Sequence, residues 1–504
     1  MDKIEKSKRI SDAVGELDED IVAEADGERR ISANENIVNS DERVGKRPVI
    51  ASKKKKILIP AVSLAACAAI TLGIIFGGGN GNPNIFDLPV YAEVLAEAKY
   101  PYAVPYPDES GYVSDSEREQ WYDQKKERNK MWENIDTKAL NNFTCNTVGQ
   151  FLKNSDEKNP VYSPANLFMA LSMLAELTDG ESRSQILELT GFGNIEELRR
   201  QAAALWKAFY RNDGATTTVL ANSLWLNSAA EFKNDTIKRL ADEYFASVYR
   251  GDPAEEKTLA SIRNWIKEQT GGFLKEAADD LTVDPETVML MCSALYFKAR
   301  WNNEFNPDKN DRRIFYGVNG ETEAEFMNGV TTQYYFGGDY TSVRLYFTDG
   351  CDMWFILPDE GKTIDDVLSS GEYIEMVSNP SNWENNQYIQ VNVSVPKFDV
   401  SSDTDIVGGL KELGVRDVFD PVRADFSPLA DNEYGAIWVD RVQHAARVSI
   451  DEEGCTAAAF TVMMANTGTM APEEEIDFVL DRPFVFMITS GSGVLFAGAV
   501  NDLN

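Results

Sequence analysis

The stretch Ser449–Met470, SIDEEGCTAAAFTVMMANTGTM, decides how this chain is read. The acidic pair Glu452 and Glu453 meets Gly454, and a run of small residues follows, Cys455-Thr456-Ala457-Ala458-Ala459, then Phe460-Thr461. The chain stays uncharged to Met470, before Pro472 and the acidic cluster Glu473–Glu475. In a strand every second side chain faces the same way, so a segment that enters the middle of a sheet needs small, uncharged residues at alternate positions. Cys455, Ala457, Ala459, Thr461 and Met463 form such an inward row, and Phe460 falls on the outer face. The same composition also suits a solvent loop rich in Ala and Thr.

Motifs elsewhere bear on that choice. Asn159-Pro160-Val161-Tyr162-Ser163-Pro164, Ala170–Leu174, Gly180-Glu181-Ser182 and Gln185-Ile186-Leu187 come first. Ile262–Trp265 and Thr270-Gly271-Gly272 follow, then Ser293–Lys298 with Trp301. Leu357–Glu360, Pro396-Lys397-Phe398, Leu413-Gly414-Val415 and Ala424–Ser427 continue, and Pro483–Phe486 and Leu495–Gly498 close the chain. In this order they resemble the serpins, inhibitors that trap proteases by inserting a cleaved loop as a new strand. The resemblance covers roughly residues 138–504. It implies an α+β fold with a large central sheet, further sheets, about eight or nine helices and an exposed reactive loop, here 452–475.

A prior of about 150 residues per domain would divide 504 residues into three. The resemblance implies one domain instead, 138–504, and 43% apolar residues supply its core. Helical patterns dominate from Leu140 to Lys275, and strand-like runs such as Val288–Phe297, Asp352–Leu357, Tyr388–Val395 and Phe484–Ile488 dominate later. The net charge of −33 repels nucleic acid and anionic lipid and favours solubility, without defining a substrate.

Lys53–Lys56 precede Ile57–Phe76, twenty residues without a charge. At 1.5 Å per residue a helix of that length crosses a hydrocarbon core of about 30 Å. The lysines, with Lys46 and Arg47 behind them, place residues 1–56 in the cytoplasm and the rest outside. A cleaved signal competes with this reading, since Leu64-Ala65-Ala66-Cys67 resembles a lipoprotein processing site; a lipoprotein or a secreted chain would then result. The apolar run continues past Cys67, however, and 56 residues are too many for an ordinary signal. Gly77–Pro83 reads as a hinge, and 77–137, rich in Tyr and Pro, as a linker or stalk; the charge pattern of Ser114–Asp136 permits a helix.

Little in the chain suggests catalysis. His444 is the single histidine, and no Gly-x-Ser-x-Gly elbow, phosphate loop, HExxH or CxxC occurs, so no enzyme activity, cofactor or metal is expected. Cys67 lies in the apolar run and Cys455 in the loop, leaving Cys145, Cys292 and Cys351 without disulfide-like spacing; Cys292 reads as a small hydrophobe. The resemblance implies that His444 is a shutter histidine on a strand beneath the main sheet. Its usual asparagine partner is replaced by Ser293, which points to water or Ser163 as the partner.

The resemblance further implies a monomer that forms a covalent acyl-enzyme complex with a serine protease. A clean inward row separates inhibitors from serpins that only bind, the alternative here being a non-inhibitory surface binding protein. Cys455 stands where Thr is usual. Counting from Gly454 places the cut at Gly468-Thr469, and counting back from Ile476 places it at Met470-Ala471. No Lys or Arg lies between Val462 and Pro472, which points to elastase-like or subtilisin-like proteases. The expectation is a bacterial, membrane-anchored inhibitor with its serpin domain outside the cell.

Overall fold

The structure is a computed structural model that describes residues 62–68, 92–107, 114–155, 157–252, 255–272, 274–284, 287–431, 437–455 and 474–503. The chain divides into Met1–Ile57 and Leu58–Asn504, and the first unit lies outside the described residues. The second is an α+β domain with two nine-stranded sheets.

The first sheet contains β1 (Val62–Ala68), β2 (Glu93–Ala96), β4 (Arg211–Asn212), β5 (Thr216–Leu226), β6 (Ala246–Arg250), β7 (Met289–Arg300), β13 (Phe398–Asp405), β14 (Arg441–Ile450) and β15 (Gly454–Cys455). The second contains β3 (Val161–Tyr162), β8 (Asp311–Gly317), β9 (Gly320–Phe336), β10 (Tyr340–Tyr346), β11 (Cys351–Pro358), β12 (Asn386–Pro396), β16 (Glu475–Val479), β17 (Phe484–Ser490) and β18 (Gly493–Val500). Eleven helices occur among the described residues: α1 (Asp115–Met131), α2 (Thr137–Lys153), α3 (Pro164–Leu177), α4 (Gly180–Thr190), α5 (Ile195–Phe209), α6 (Asn234–Tyr244), α7 (Glu256–Gln269), α8 (Lys275–Asp280), α9 (Ile364–Ser370), α10 (Glu372–Ser378) and α11 (Val407–Glu412). The region expected to be mostly helical also holds β5 and β6. Their β-branched and apolar residues leave the surface, so period-two patterning is lost and a buried strand resembles a buried helix.

Burial explains the core elements. All fourteen residues of α3 are buried, and the helix starts where Ser163 accepts a hydrogen bond from the Asn166 amide with Pro164 in the first turn. β11, β17 and β18 are buried end to end, as strands covered on both faces must be. Glu176 on α3 is buried against Arg199 of α5 at 3.0 Å, Arg239 of α6 at 2.5 Å and the Tyr244 hydroxyl at 3.0 Å. Burial alone would raise its carboxyl, but the hydrogen bonds from Arg199 and Arg239 outweigh it and hold Glu176 below the usual glutamate range.

Two N-terminal expectations change. Within 57–76, expected to be a membrane-spanning helix, only Val62–Ala68 is described, and it is strand β1; no described helix is long and apolar enough to cross a membrane. A sheet interior, like a bilayer, gives a charged side chain no water, so one uncharged run meets the demands of either. Residues 92–107 and 114–134, expected in a free stalk, instead pack on the domain: β2 pairs with β6, and Trp121 of α1 is buried.

Replacing Glu176 with Ala should lower the unfolding midpoint by an amount worth about 3 kcal/mol, because Arg199 and Arg239 lose the carboxylate that compensates them. Chemical denaturation of the purified chain checks this, and a midpoint equal to wild type would remove Glu176 as the tie between α3, α5 and α6.

Candidate functional site

β7 and β14 run parallel, and no pairing joins them directly among the described residues. The slot between them is one strand wide. At one end β15 fills it: Gly454 and Cys455 pair antiparallel with Arg300 and Ala299 of β7, and Cys455 with Ile450 of β14. At the other end lies the backbone of β1, parallel to both neighbours, with Val62 to Ala68 opposite Met289 to Leu295 and Ser63 to Ala66 opposite Arg441 to His444.

The chain enters the slot through a fixed turn. The amides of Glu453 and Gly454 donate to the Asp451 carboxylate at 3.0 and 3.1 Å, and the Asp451 amide donates to the Gly454 carbonyl at 3.0 Å. Trp301 donates its amide to the Glu453 carbonyl at 2.9 Å and its indole N–H to the Asp451 carbonyl at 2.8 Å. Lys397 pairs with Glu452 at 2.7 Å and with Glu325 at 3.1 Å. Burial, reinforced by Glu452, raises the Asp451 carboxyl above its ordinary value, against the two amide donors that lower it. Gly454 has to be glycine: a Cβ there would lie 2.2 Å from the Ala299 carbonyl oxygen, and backbone cannot move aside cheaply. Cys455 is 2% exposed, and burial, with Asp451 nearby, pushes its thiol far above the ordinary range, so it packs as an inert group.

Below the hinge, polar groups line the slot. His444 lies on β14, within the first sheet rather than beneath it, and its Nε2 accepts a hydrogen bond from the Ser163 amide at 3.1 Å. The Ser163 hydroxyl donates to the Leu495 carbonyl at 2.6 Å. Burial lowers His444 to about 4, which keeps the imidazole neutral; among the described residues its Nδ1 has no hydrogen-bond partner, and His444 lines a cavity of about 110 Å³ with Tyr162, Ser402, Thr404 and Asp405. Ser293 faces the same β1 residue as His444 and hydrogen-bonds away from it, to Asn166 and, at 2.7 Å, to Asn222. Of the expected shutter partners, Ser163 meets His444, through its backbone, and Ser293 does not. Asn166 and Asn222 are the residues the sequence reading missed. An asparagine inside the uncharged run Thr216–Leu226 is the signal that could have found Asn222.

Thr456, Ala457, Ala458, Ala459, Phe460 and Thr461 of the hinge, with Gly468, Thr469, Met470 and Ala471 at the candidate cut, lie outside the described residues. The chain is described again in β16, which pairs parallel with β12 of the second sheet. The loop therefore starts in one sheet and ends in the other. Among the described residues no cluster of His, Cys, Asp and Glu could hold a metal ion, and Cys145, Cys292, Cys351 and Cys455 are free thiols.

The chain is similar to several known proteins. Serpin-ZX of Arabidopsis thaliana is 28% identical over 368 residues, which cover 69% of this chain and 93% of the plant protein. Plasminogen activator inhibitor 1 of Neovison vison is 28% identical over 377 residues, 71% of this chain and 91% of its own length. The crystal structure of tengpin, a thermophilic serpin, in its native state superposes with a TM-score of 0.66 at 24% identity, covering 82% of this chain and 100% of that one. The profile of the family described as Serpin (serine protease inhibitor) matches residues 138–503, and with the loop bridging two sheets and its hinge seated in the first, the chain belongs to the serpin family.

Proposed function

We propose that the chain inhibits serine proteases as a suicide substrate. The observation that carries the reading is the seat of Gly454 and Cys455 at one end of a strand-wide slot. A target protease attacks a loop carbonyl with its serine hydroxyl, the peptide C–N bond breaks, the new amine leaves with the C-terminal fragment, and an ester joins enzyme and loop. The freed segment then continues from Cys455 along the slot. Each backbone group that finds a partner contributes about 0.5–1.5 kcal/mol, repeated over the strand. The inward row Ala457, Ala459, Thr461 and Met463 carries no charge to hinder that burial. The attached protease is carried along and distorted before water hydrolyses the ester.

β1 constrains this sequence of events. It already pairs with Met289 to Leu295, so an inserting loop passes Phe297 only if β1 leaves. The same apolar run placed in a membrane would vacate the slot, and Lys53–Lys56 favour that placement with residues 1–56 in the cytoplasm. β1 kept in place favours a second reading, a serpin used as a non-inhibitory binding scaffold at the cell surface. An SDS-stable complex formed by the purified chain with elastase supports inhibition; cleavage without any complex supports the scaffold.

If the first reading holds, Ala457→Arg or Ala459→Arg should convert the chain into a cleaved substrate, because a charge would have to be buried in the inserted strand. Trapping at the wild-type ratio would show that these residues do not face inward. With no basic residue between Val462 and Pro472, elastase-like or subtilisin-like proteases should be inhibited and trypsin should not, since a mismatched side chain costs a few kcal/mol in the transition state. Mass spectrometry of the released C-terminal fragment locates the cut: a start at Ala471 places it after Met470, and a start at Thr469 after Gly468. Potent trypsin inhibition would overturn the assignment. For topology, protease added to intact cells should remove the serpin domain and leave residues 1–56 protected; a tail digested from outside would exclude the membrane placement.

A further inference from the structure

We propose that the described parts of the N-terminal extension, residues 92–107 and 114–134, form a clasp that holds the hinge seat in place through the α1 side chains Lys125 and Arg128. The extension leaves the far edge of the first sheet at β2, where the Ala98 amide donates to Ser247 at 3.1 Å. It crosses α5, where Tyr100 packs on Trp206 and Tyr210 with ring centres 5.2 and 5.9 Å apart. α1 then reaches two turns that belong to different sheets. On the turn into β5, Trp121 is buried and its indole N–H donates to Asp213 at 3.0 Å. On the turn between β10 and β11, Asp349 has a fully buried side chain and a backbone φ of +64°, and it pairs with Lys125 at 3.2 Å, Arg128 at 2.5 Å and Arg211 of β4 at 3.3 Å.

These two turns lead directly to the hinge. Asp213 accepts from the Thr216 amide at 2.8 Å, and the Thr216 hydroxyl donates to the Thr348 carbonyl at 2.7 Å. The Thr348 amide donates to the Arg300 carbonyl at 2.9 Å, and Arg300 is the β7 residue that pairs with Gly454. α1 is thus tied to the end of β7 by one buried carboxylate and one backbone step. A strained, buried Asp349 holds its turn only while cations compensate it. Without Lys125 and Arg128 the turn relaxes, β7 loses its anchor at Arg300, and β15 leaves the slot. The clasp concerns the same hinge as the proposed inhibition, but its first readout does not depend on it.

The test uses Cys455, buried only while β15 is seated. In the full chain, a Lys125→Gln/Arg128→Gln variant should expose Cys455 to a thiol reagent, with labelling by peptide mapping at least about tenfold faster than wild type, as expected for local opening of a seated segment. Lys126→Gln, which removes one charge from an exposed neighbour, should label at the wild-type rate, and Arg128→Lys should restore protection. If inhibition holds as proposed, the double variant should also consume more inhibitor per protease trapped. Cys455 that stays protected in the double variant, or labels equally fast in Lys126→Gln, overturns the clasp whether or not the chain inhibits any protease.

Discussion

The inner edges of β7 and β14, which no pairing joins to each other among the described residues, are the constraint on which the rest of the domain depends. A sheet interrupted in its middle exposes two rows of backbone donors and acceptors that water cannot serve, so the gap must be filled or flanked by groups that meet them. The hinge meets two of them through Gly454 and Cys455, β1 meets several more, and Ser163, Asn166, Asn222 and Ser293 join the strands to α3 beneath. Around this gap the fold is ordinary close packing: α3 wholly buried, β11, β17 and β18 covered on both faces, and Glu176 tying three helices together. The gap separates a plain α+β core from one with room for another strand.

Side-chain freedom is also small at the hinge. Gly454 abuts backbone, Cys455 is enclosed, and the Asp451 turn is held by Trp301, with Lys397 on the neighbouring Glu452. Such a segment carries its requirements in its composition, so the hinge and the motifs around Ser293 and Pro483 were legible in the sequence. Residue type alone showed that the loop begins at a glycine among acids and runs on without charge. Where the loop ends was less legible, because the counts forward from Gly454 and back from Ile476 disagree.

The charge pattern permitted the helix α1, but its docking on the domain was not legible, for physical reasons. α1 docks through one tryptophan and two cations on a carboxylate, and along the chain those residues look the same as the face of a solvated helix. The apolar run before it is ambiguous for a different reason. Nothing in VSLAACA distinguishes a place between two strands from a place in a bilayer, because each environment excludes charge and demands paired backbone. The polar cluster around His444 was legible only in part: of the two expected partners, water and Ser163, Ser163 lies against His444, while the contacts of Asn166 and Asn222 depend on tertiary neighbours that no local pattern records.

β2 has a further consequence, for how copies of this protein behave in a crowd. An outer strand with free backbone groups is a template on which a second molecule can extend the sheet. Here β6 would be that strand, and four residues of the extension cover it with a strand that is short and irregular between Val94 and Ala96. Short, irregular borders give an incoming chain little to pair with. Together with a net charge of −33, which keeps molecules apart, this border gives a second molecule little purchase on the β6 side of the sheet.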